Sequence, residues 1–298
     1  MKSLVGCSLL LFLFVLPAAA GTSPAAEEVQ VALLQSSADS ADRWNTLNPK
    51  RLKLRSRAAL ILDHDGHVIY GKAVDEPRPI ASITKLMTAM VILDAGLPMQ
   101  EKLKITKQDR DLLRLTGSRL KYGATLTREK LLRLALMASE NRAAAALART
   151  FPGGRGAFVA AMNRKARELG MTHSRFADPT GLDAGNMASP RDLARMVRAA
   201  LNYPLIREAT TTRTTEVRPY RKRGPLRFGN TNRLLRNKAW QIELSKTGYI
   251  NEAGRCLVMQ ARIAGEPMTI VLLDSFGKLT PFGDSNRIRK WIEKGLKG

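Results

Sequence analysis

Apolar and polar positions change rhythm along the chain. Ala58-Ala59-Leu60-Ile61-Leu62-Asp63 and His67-Val68-Ile69-Tyr70 flank His64-Asp65-Gly66. Two extended apolar runs around an Asp-Gly turn predict a β-hairpin. After Pro77-Arg78-Pro79, Ile83, Leu86, Met87, Met90 and Val91 recur at helical spacing, which predicts a helix from about Ser82 with a buried face. Thr127 is placed to cap a second helix carrying Leu131, Leu132, Leu134, Ala135 and Leu136. Ser139-Glu140-Asn141 interrupts it, and residues 143–148 resume it. Residues 163–169 read as a helix ended by Gly170, and Ser189-Pro190-Arg191-Asp192 supplies another helix start. From Trp240 the extended pattern returns in residues 240–247, 256–263 and 268–273, an antiparallel meander. Ile288, Trp291 and Ile292 mark the narrow apolar stripe of a basic closing helix, suited to packing on the sheet rather than lying on a membrane. Strands, helices, strands and a last helix predict an α+β fold. Its antiparallel sheet is built from both ends of the chain, with flanking helices and a helical insert.

The first residues follow a different logic. Lys2 precedes an apolar run over residues 4–16, then Pro17 and Ala18-Ala19-Ala20. That order describes a secretory signal peptide over residues 1–20, and hence export across the inner membrane to the periplasm. The run is shorter than the roughly 20 apolar residues a membrane span needs. Leu4-Val5-Gly6-Cys7 resembles a lipoprotein box, but it precedes most of the apolar run, so lipidation is not expected. Residues 21–50 are rich in Ala, Ser and Asp without periodicity and read as a partly ordered leader. Residues 51–298 are left as the folded domain.

Composition narrows the function classes. With 44% hydrophobic residues in a chain of 298, a large core is available, and disordered or fibrous classes are excluded. Two cysteines cannot make a disulfide scaffold, and three histidines offer little for a multinuclear metal site. His64, His67, Asp63 and Asp65 read as turn chemistry, so neither a metal nor another cofactor is expected. Cys256 lies in an apolar run and reads as a buried, inert thiol. The net charge is +23, and residues 213–238 hold nine Lys and Arg interleaved with Tyr220, Phe228 and Asn230. Nucleic acid is a poor partner for an exported protein. An anionic wall polymer or membrane surface suits the charge better, with simple solubility as the plain alternative.

Three short motifs carry the chemistry. Ser82-Ile83-Thr84-Lys85 puts a hydroxyl and an amine three residues apart at a helix start, where the amine can reach the hydroxyl oxygen. The helix N-terminus favours an alkoxide, and the Ser82 N–H favours an oxyanion. Alone, the pattern also fits a capping serine followed by a surface lysine. Ser139-Glu140-Asn141 adds a hydroxyl and an amide at a helix break, though a capped loop has the same residues. Ser245-Lys246-Thr247-Gly248 ends a strand; Lys and Thr can grip a carboxylate, and Gly allows a ligand backbone close.

In this order, Ser-x-x-Lys, Ser-x-Asn and Lys-Thr-Gly resemble the penicillin-binding proteins and class A β-lactamases. The segment from Arg78 to Met90 resembles the low-molecular-mass D-alanyl-D-alanine peptidases. Leu136-Met137-Ala138-Ser139-Glu140-Asn141-Arg142 with its following alanines resembles their endopeptidase branch. Leu169-Gly170-Met171, Asp178-Pro179-Thr180-Gly181-Leu182 and Asn230-Thr231-Asn232 also match that family. The resemblance implies a β-lactamase/transpeptidase-like fold, Ser82 as the acylated nucleophile and Lys85 as its base. It implies that Ser139 relays a proton to the leaving amine and that Asn141 binds the substrate amide. Lys246, Thr247 and Gly248 would hold substrate, and the backbone N–H groups of Ser82 and Tyr249 would form the oxyanion hole.

The implied substrate is the stem peptide of peptidoglycan, with β-lactams as covalent inhibitors. The Glu-x-x-Leu-Asn of class A β-lactamases does not follow Ser139, so β-lactams are expected to acylate Ser82 and leave slowly. Crosslink cleavage is favoured; carboxypeptidase action and a non-catalytic wall-binding module are the alternatives. For Lys85 to act as a base near neutral pH, its pKa must fall from about 10.4. Burial and a second ammonium on Lys246 are the expected causes.

Overall fold

Both faces of one antiparallel sheet are covered at its centre, which is why its three central strands read as nearly unbroken apolar runs. The computed structural model describes residues 43–296. The expected signal peptide and most of the expected leader lie outside the described residues.

In chain order the elements are β1 (Ser56–Leu62), β2 (Val68–Lys72), β3 (Arg78–Pro79), α1 (Thr84–Asp94), β4 (Lys102–Lys104) and β5 (Thr125–Thr127). Then come α2 (Arg128–Met137), α3 (Asn141–Arg149), α4 (Gly154–Glu168), β6 (Met187–Ala188), α5 (Pro190–Ala200) and α6 (Pro204–Thr211). The chain closes with β7 (Thr214–Val217), β8 (Leu226–Gly229), β9 (Gln241–Ile250), β10 (Gly254–Ile263), β11 (Glu266–Ser275) and α7 (Thr280–Gly295). The large sheet has the order β2-β1-β11-β10-β9, so the two ends of the chain meet where β1 pairs antiparallel with β11. This is the expected α+β architecture, and β9 is left as an edge strand.

Alternation along β1 separates the cores. Ala58, Leu60 and Leu62 face the helical insert together with α1, α2, α3 and α5. Ala59 and Ile61 face the other side, where Ile288 and Ile292 of α7 close a second core. The closing helix therefore packs on the sheet, as its stripe predicts. Trp44 and Leu47, at the end of the expected leader, are also buried in that second core. The Trp44 indole donates to Asp63 Oδ2 at 2.9 Å.

Local signals explain the helix ends. Thr127 accepts from Lys130 N, Ser189 accepts from Asp192 N, and Pro190 opens α5. Two boundaries differ from expectation. The helix expected over residues 163–169 begins earlier, at Gly154, because Phe158, Ala161 and Met162 bury a face that the glycines before them mask in the sequence. The basic stretch contains a two-stranded hairpin, β7–β8, whose alternation is hidden by charge.

Candidate active site

The nucleophile segment begins with a tether. β3 pairs with β6, and Ile80 N donates to Asn186 O at 3.0 Å. The chain then makes a tight 3₁₀ turn over Ala81–Ile83 before α1 starts at Thr84. Ala81 has φ 46°, a left-handed conformation costly for a residue with a side chain. The turn places Ser82, half-buried, at the amino end of α1.

Packing holds that turn from two sides. At Gly181, with φ +79°, a Cβ would sit 2.0 Å from Ala81 O. At Gly248 of β9 it would sit 2.8 Å from Ile80 O and 3.1 Å from Ser82 N. Gly248 thus permits a close approach to this chain's own Ser82 turn, and it also lines the cleft where the motif leads one to expect a ligand. Asp178 organises the Gly181 loop by accepting from Gly181 N at 2.9 Å and Thr180 N at 3.0 Å.

Lys85 has no solvent exposure. Its Nζ donates to Ser82 Oγ at 2.8 Å, Asn141 Oδ1 at 2.8 Å and Thr180 O at 2.5 Å. Burial lowers its pKa to about 8, against the upward pull of Asp178 and Glu140. Lys246, equally buried, donates to Ser139 Oγ at 3.1 Å and Thr247 O at 2.9 Å. It has no carboxylate partner, so burial and then the charge on Lys85 press its pKa well below the ordinary value. The two ammonium charges oppose each other, as expected, and they differ in surroundings: Lys85 has Asp178 and Glu140 nearby to sustain a charge, and Lys246 has burial and the Lys85 charge against it.

Ser139 sits in the break between α2 and α3 with φ 58°, a second non-glycine in the left-handed region. Asn141 opens α3, and its Nδ2 donates to Thr116 Oγ1 at 3.0 Å. Thr247 Oγ1 and Thr231 Oγ1 are 2.6 Å apart at the edge of β9. Tyr249 is exposed, and the Arg255 guanidinium stacks 3.5 Å from its ring centroid. Ser82, Ser139, Asn141, Thr247, Gly248 and Tyr249 all line one cleft of about 320 Å³, with Lys85 and Lys246 beneath Ser82 and Ser139.

Thr116, Arg255 and Lys278, to which the sequence pattern gives no role, line the same cleft, as does Arg233 from the basic stretch. Nothing in the local pattern around them distinguishes them from ordinary surface residues. No carboxylate lines the cleft among the described residues, so its field is positive and suits acidic substrates. Cys256 contributes a buried thiol that burial pushes up to about 12, matching the inert reading. At the β1–β2 turn, donor atoms of Asp63, Asp65 and His67 lie within 4.8 Å of one another. Asp63 is occupied with structure: it accepts from Gly66 N, His67 N and the Trp44 indole. Burial pushes its carboxyl up, but these donors outweigh burial and hold it below the usual range.

A helix-opening serine, a buried lysine in contact with it and a second buried lysine on an antiparallel edge strand define an acyl-transfer type of site on a penicillin-binding fold. The profile described as D-alanyl-D-alanine carboxypeptidase, peptidase family S11, matches residues 45–277, and the chain belongs to this family. It is 48% identical over 248 residues to a D-alanyl-D-alanine endopeptidase of Pseudomonas aeruginosa, covering 83% of this chain and 80% of that protein. A D-alanyl-D-alanine endopeptidase of Escherichia coli is 46% identical over 244 residues, covering 82% and 79%. The crystal structure of the Streptomyces K15 DD-transpeptidase superposes with a TM-score of 0.75 at 26% identity, over 81% of this chain and 98% of that one.

Proposed function

We propose that the protein is a periplasmic serine D,D-peptidase that hydrolyses D-alanyl bonds of peptidoglycan through an ester on Ser82, acting chiefly as an endopeptidase on peptide crosslinks. Family membership supports the peptidase class. The endopeptidase preference draws on the names of the Pseudomonas and Escherichia relatives. No helix among the described residues is long and apolar enough to cross a membrane, which agrees with an exported enzyme once the signal peptide is removed.

One observation carries the chemistry: a solvent-free amine 2.8 Å from a hydroxyl, with two further partners that can only accept. Neutral Lys85 keeps two N–H bonds, and the oxygens of Asn141 and Thr180 take them. The lone pair is then left for the Ser82 hydroxyl. As Ser82 Oγ adds to the D-alanyl carbonyl, its proton passes to Lys85 Nζ. The backbone N–H groups of Ser82 and Tyr249 receive the oxyanion. Ser139, hydrogen-bonded to Lys246, hands its proton to the leaving amine and is refilled by the proton that Lys85 took from Ser82; the C–N bond breaks, the ester remains on Ser82 and Lys85 is neutral again. Water then adds to the ester, giving a proton back through Lys85, and the acid leaves. Lys246 and Thr247 hold a substrate carboxylate, and Asn141 has a second N–H to offer a substrate carbonyl. A β-lactam follows the same first steps but leaves no departing fragment, so its ester persists.

A groove of about 600 Å³ is lined by Lys102, Lys104, Lys130, Arg218 and Arg221, and by no carboxylate. Its counterpart in this reading is the carboxylate-bearing wall itself.

Purified crosslinked muropeptides test the reading. Monomers should accumulate, and Ser82→Ala should abolish both this activity and covalent labelling by a fluorescent penicillin. Release of free D-alanine without loss of crosslinks would instead identify a carboxypeptidase.

A further inference from the structure

Asn141 is useful to Lys85 in only one of its two amide orientations. With Oδ1 toward the lysine, as found at 2.8 Å, the amide takes an N–H from Lys85. Turned over, its Nδ2 would donate to the lone pair of the neutral amine and compete with the Ser82 hydroxyl for it. Something must therefore fix the amide, and the loop before it supplies the means.

Asp111 accepts from Leu113 N at 2.9 Å and Arg114 N at 3.0 Å through Oδ1, and from Thr116 N at 2.9 Å and Thr116 Oγ1 at 2.8 Å through Oδ2. A carboxylate can only accept, so the Thr116 hydroxyl hydrogen is committed to Asp111. The Thr116 oxygen is then an acceptor for its other neighbour, and Asn141 Nδ2 donates to it at 3.0 Å. A flipped amide would set its oxygen against a hydroxyl with no hydrogen left to give. The loop that delivers Thr116 is held in place by its neighbours. Leu115 adopts φ 52°, and Arg114 is anchored to Leu182 O at 2.6 Å and Glu252 at 2.7 Å.

We propose that Asp111 and Thr116 are positioning residues for Lys85: acting through Asn141, they lock its amide oxygen toward the lysine and so reserve the lysine's lone pair for Ser82. This rests on the chemistry proposed above for Ser82. The directional chain runs Asp111, Thr116, Asn141, Lys85, Ser82, and each link is a contact between buried or half-buried groups. Asp178 and Glu140 are the carboxylates acting on Lys85, and Lys246 is the other buried amine, set against it by like charge. None of them touches the Asn141 amide.

Thr116→Val keeps shape and removes the hydroxyl; Thr116→Ser keeps the hydroxyl. Acylation by a fluorescent penicillin is followed against pH in both variants, and in Asp111→Asn, with unfolding curves confirming that each is folded. In Thr116→Val the free amide donates to the neutral amine. The plateau rate should fall about tenfold, one lost directional hydrogen bond, and the ascending limb should move to lower pH because neutral Lys85 is favoured. Thr116→Ser should restore both, and Asp111→Asn should resemble Thr116→Val. A rate loss with an unmoved limb, a wild-type profile in Thr116→Val, or no rescue by serine each overturns the positioning role. Absence of a Ser82 ester in the wild type would overturn the peptidase chemistry instead, so the two failures are distinguishable.

Discussion

Lys85 makes no hydrogen bond to a carboxylate, although it is wholly buried. An amine in that position gives up its proton more readily, because the interior penalises the charged form. With the pKa lowered to about 8, Lys85 is an ammonium below that pH and a base above it. The acylation parameter kcat/KM should therefore rise with pH and level off above about 8. The occupied site should behave differently. A substrate carboxylate on Lys246 restores the ammonium there, and that charge opposes one on Lys85. The limb in kcat should accordingly lie at lower pH than the limb in kcat/KM. Steady-state pH profiles check this, and coincident limbs would count against Lys246 as the carboxylate partner.

Among the elements, the Ser82 turn depends on glycines contributed from far along the chain. Gly181→Ala would drive a Cβ into Ala81 O at a positive φ. It should cost about 1–3 kcal/mol in denaturant unfolding and slow acylation, because the Ser82 N–H proposed to receive the oxyanion lies in the displaced backbone. Gly96→Ala is the contrast: its φ is +60° but no atom lies within 4 Å of the new Cβ, so acylation should be unchanged. The same contrast explains what the sequence could convey. Hydrophobic period made the β1–β2 hairpin, the β9–β11 meander and α7 legible, and capping residues Thr127 and Ser189 marked helix starts. The Ser82, Ser139 and Lys246 motifs are legible in the sequence, and the fold brings them to one cleft. Thr116 and Asp111 are not legible there, since their role comes from a non-repetitive loop folded over residues distant in sequence. That Gly248, read as ligand-facing in its motif, also abuts Ile80 and Ser82 is revealed only by packing.

For the molecule as a whole, charge is the dominant global property, at +23. Unopposed cations in the Lys102–Arg221 groove should hold the enzyme on its polymeric substrate between cleavage events. Replacing Lys104, Lys130, Arg218 and Arg221 by Gln should weaken sedimentation with purified wall sacculi on the order of tenfold at low salt. Added salt should erase the difference, while cleavage of small muropeptides stays unchanged. Equal binding by the two proteins would leave the groove as a solvated face.

The chemistry stands or falls on the protonation of one amine. Selective ¹³C labelling of lysine, with Lys85 assigned through Lys85→Met, lets its titration be followed by NMR in enzyme whose acylation is measured in parallel. A single transition near pH 8 that coincides with the rise in acylation is the expected result. A Lys85 that is still charged above pH 9 while Ser82 is being acylated would contradict the account.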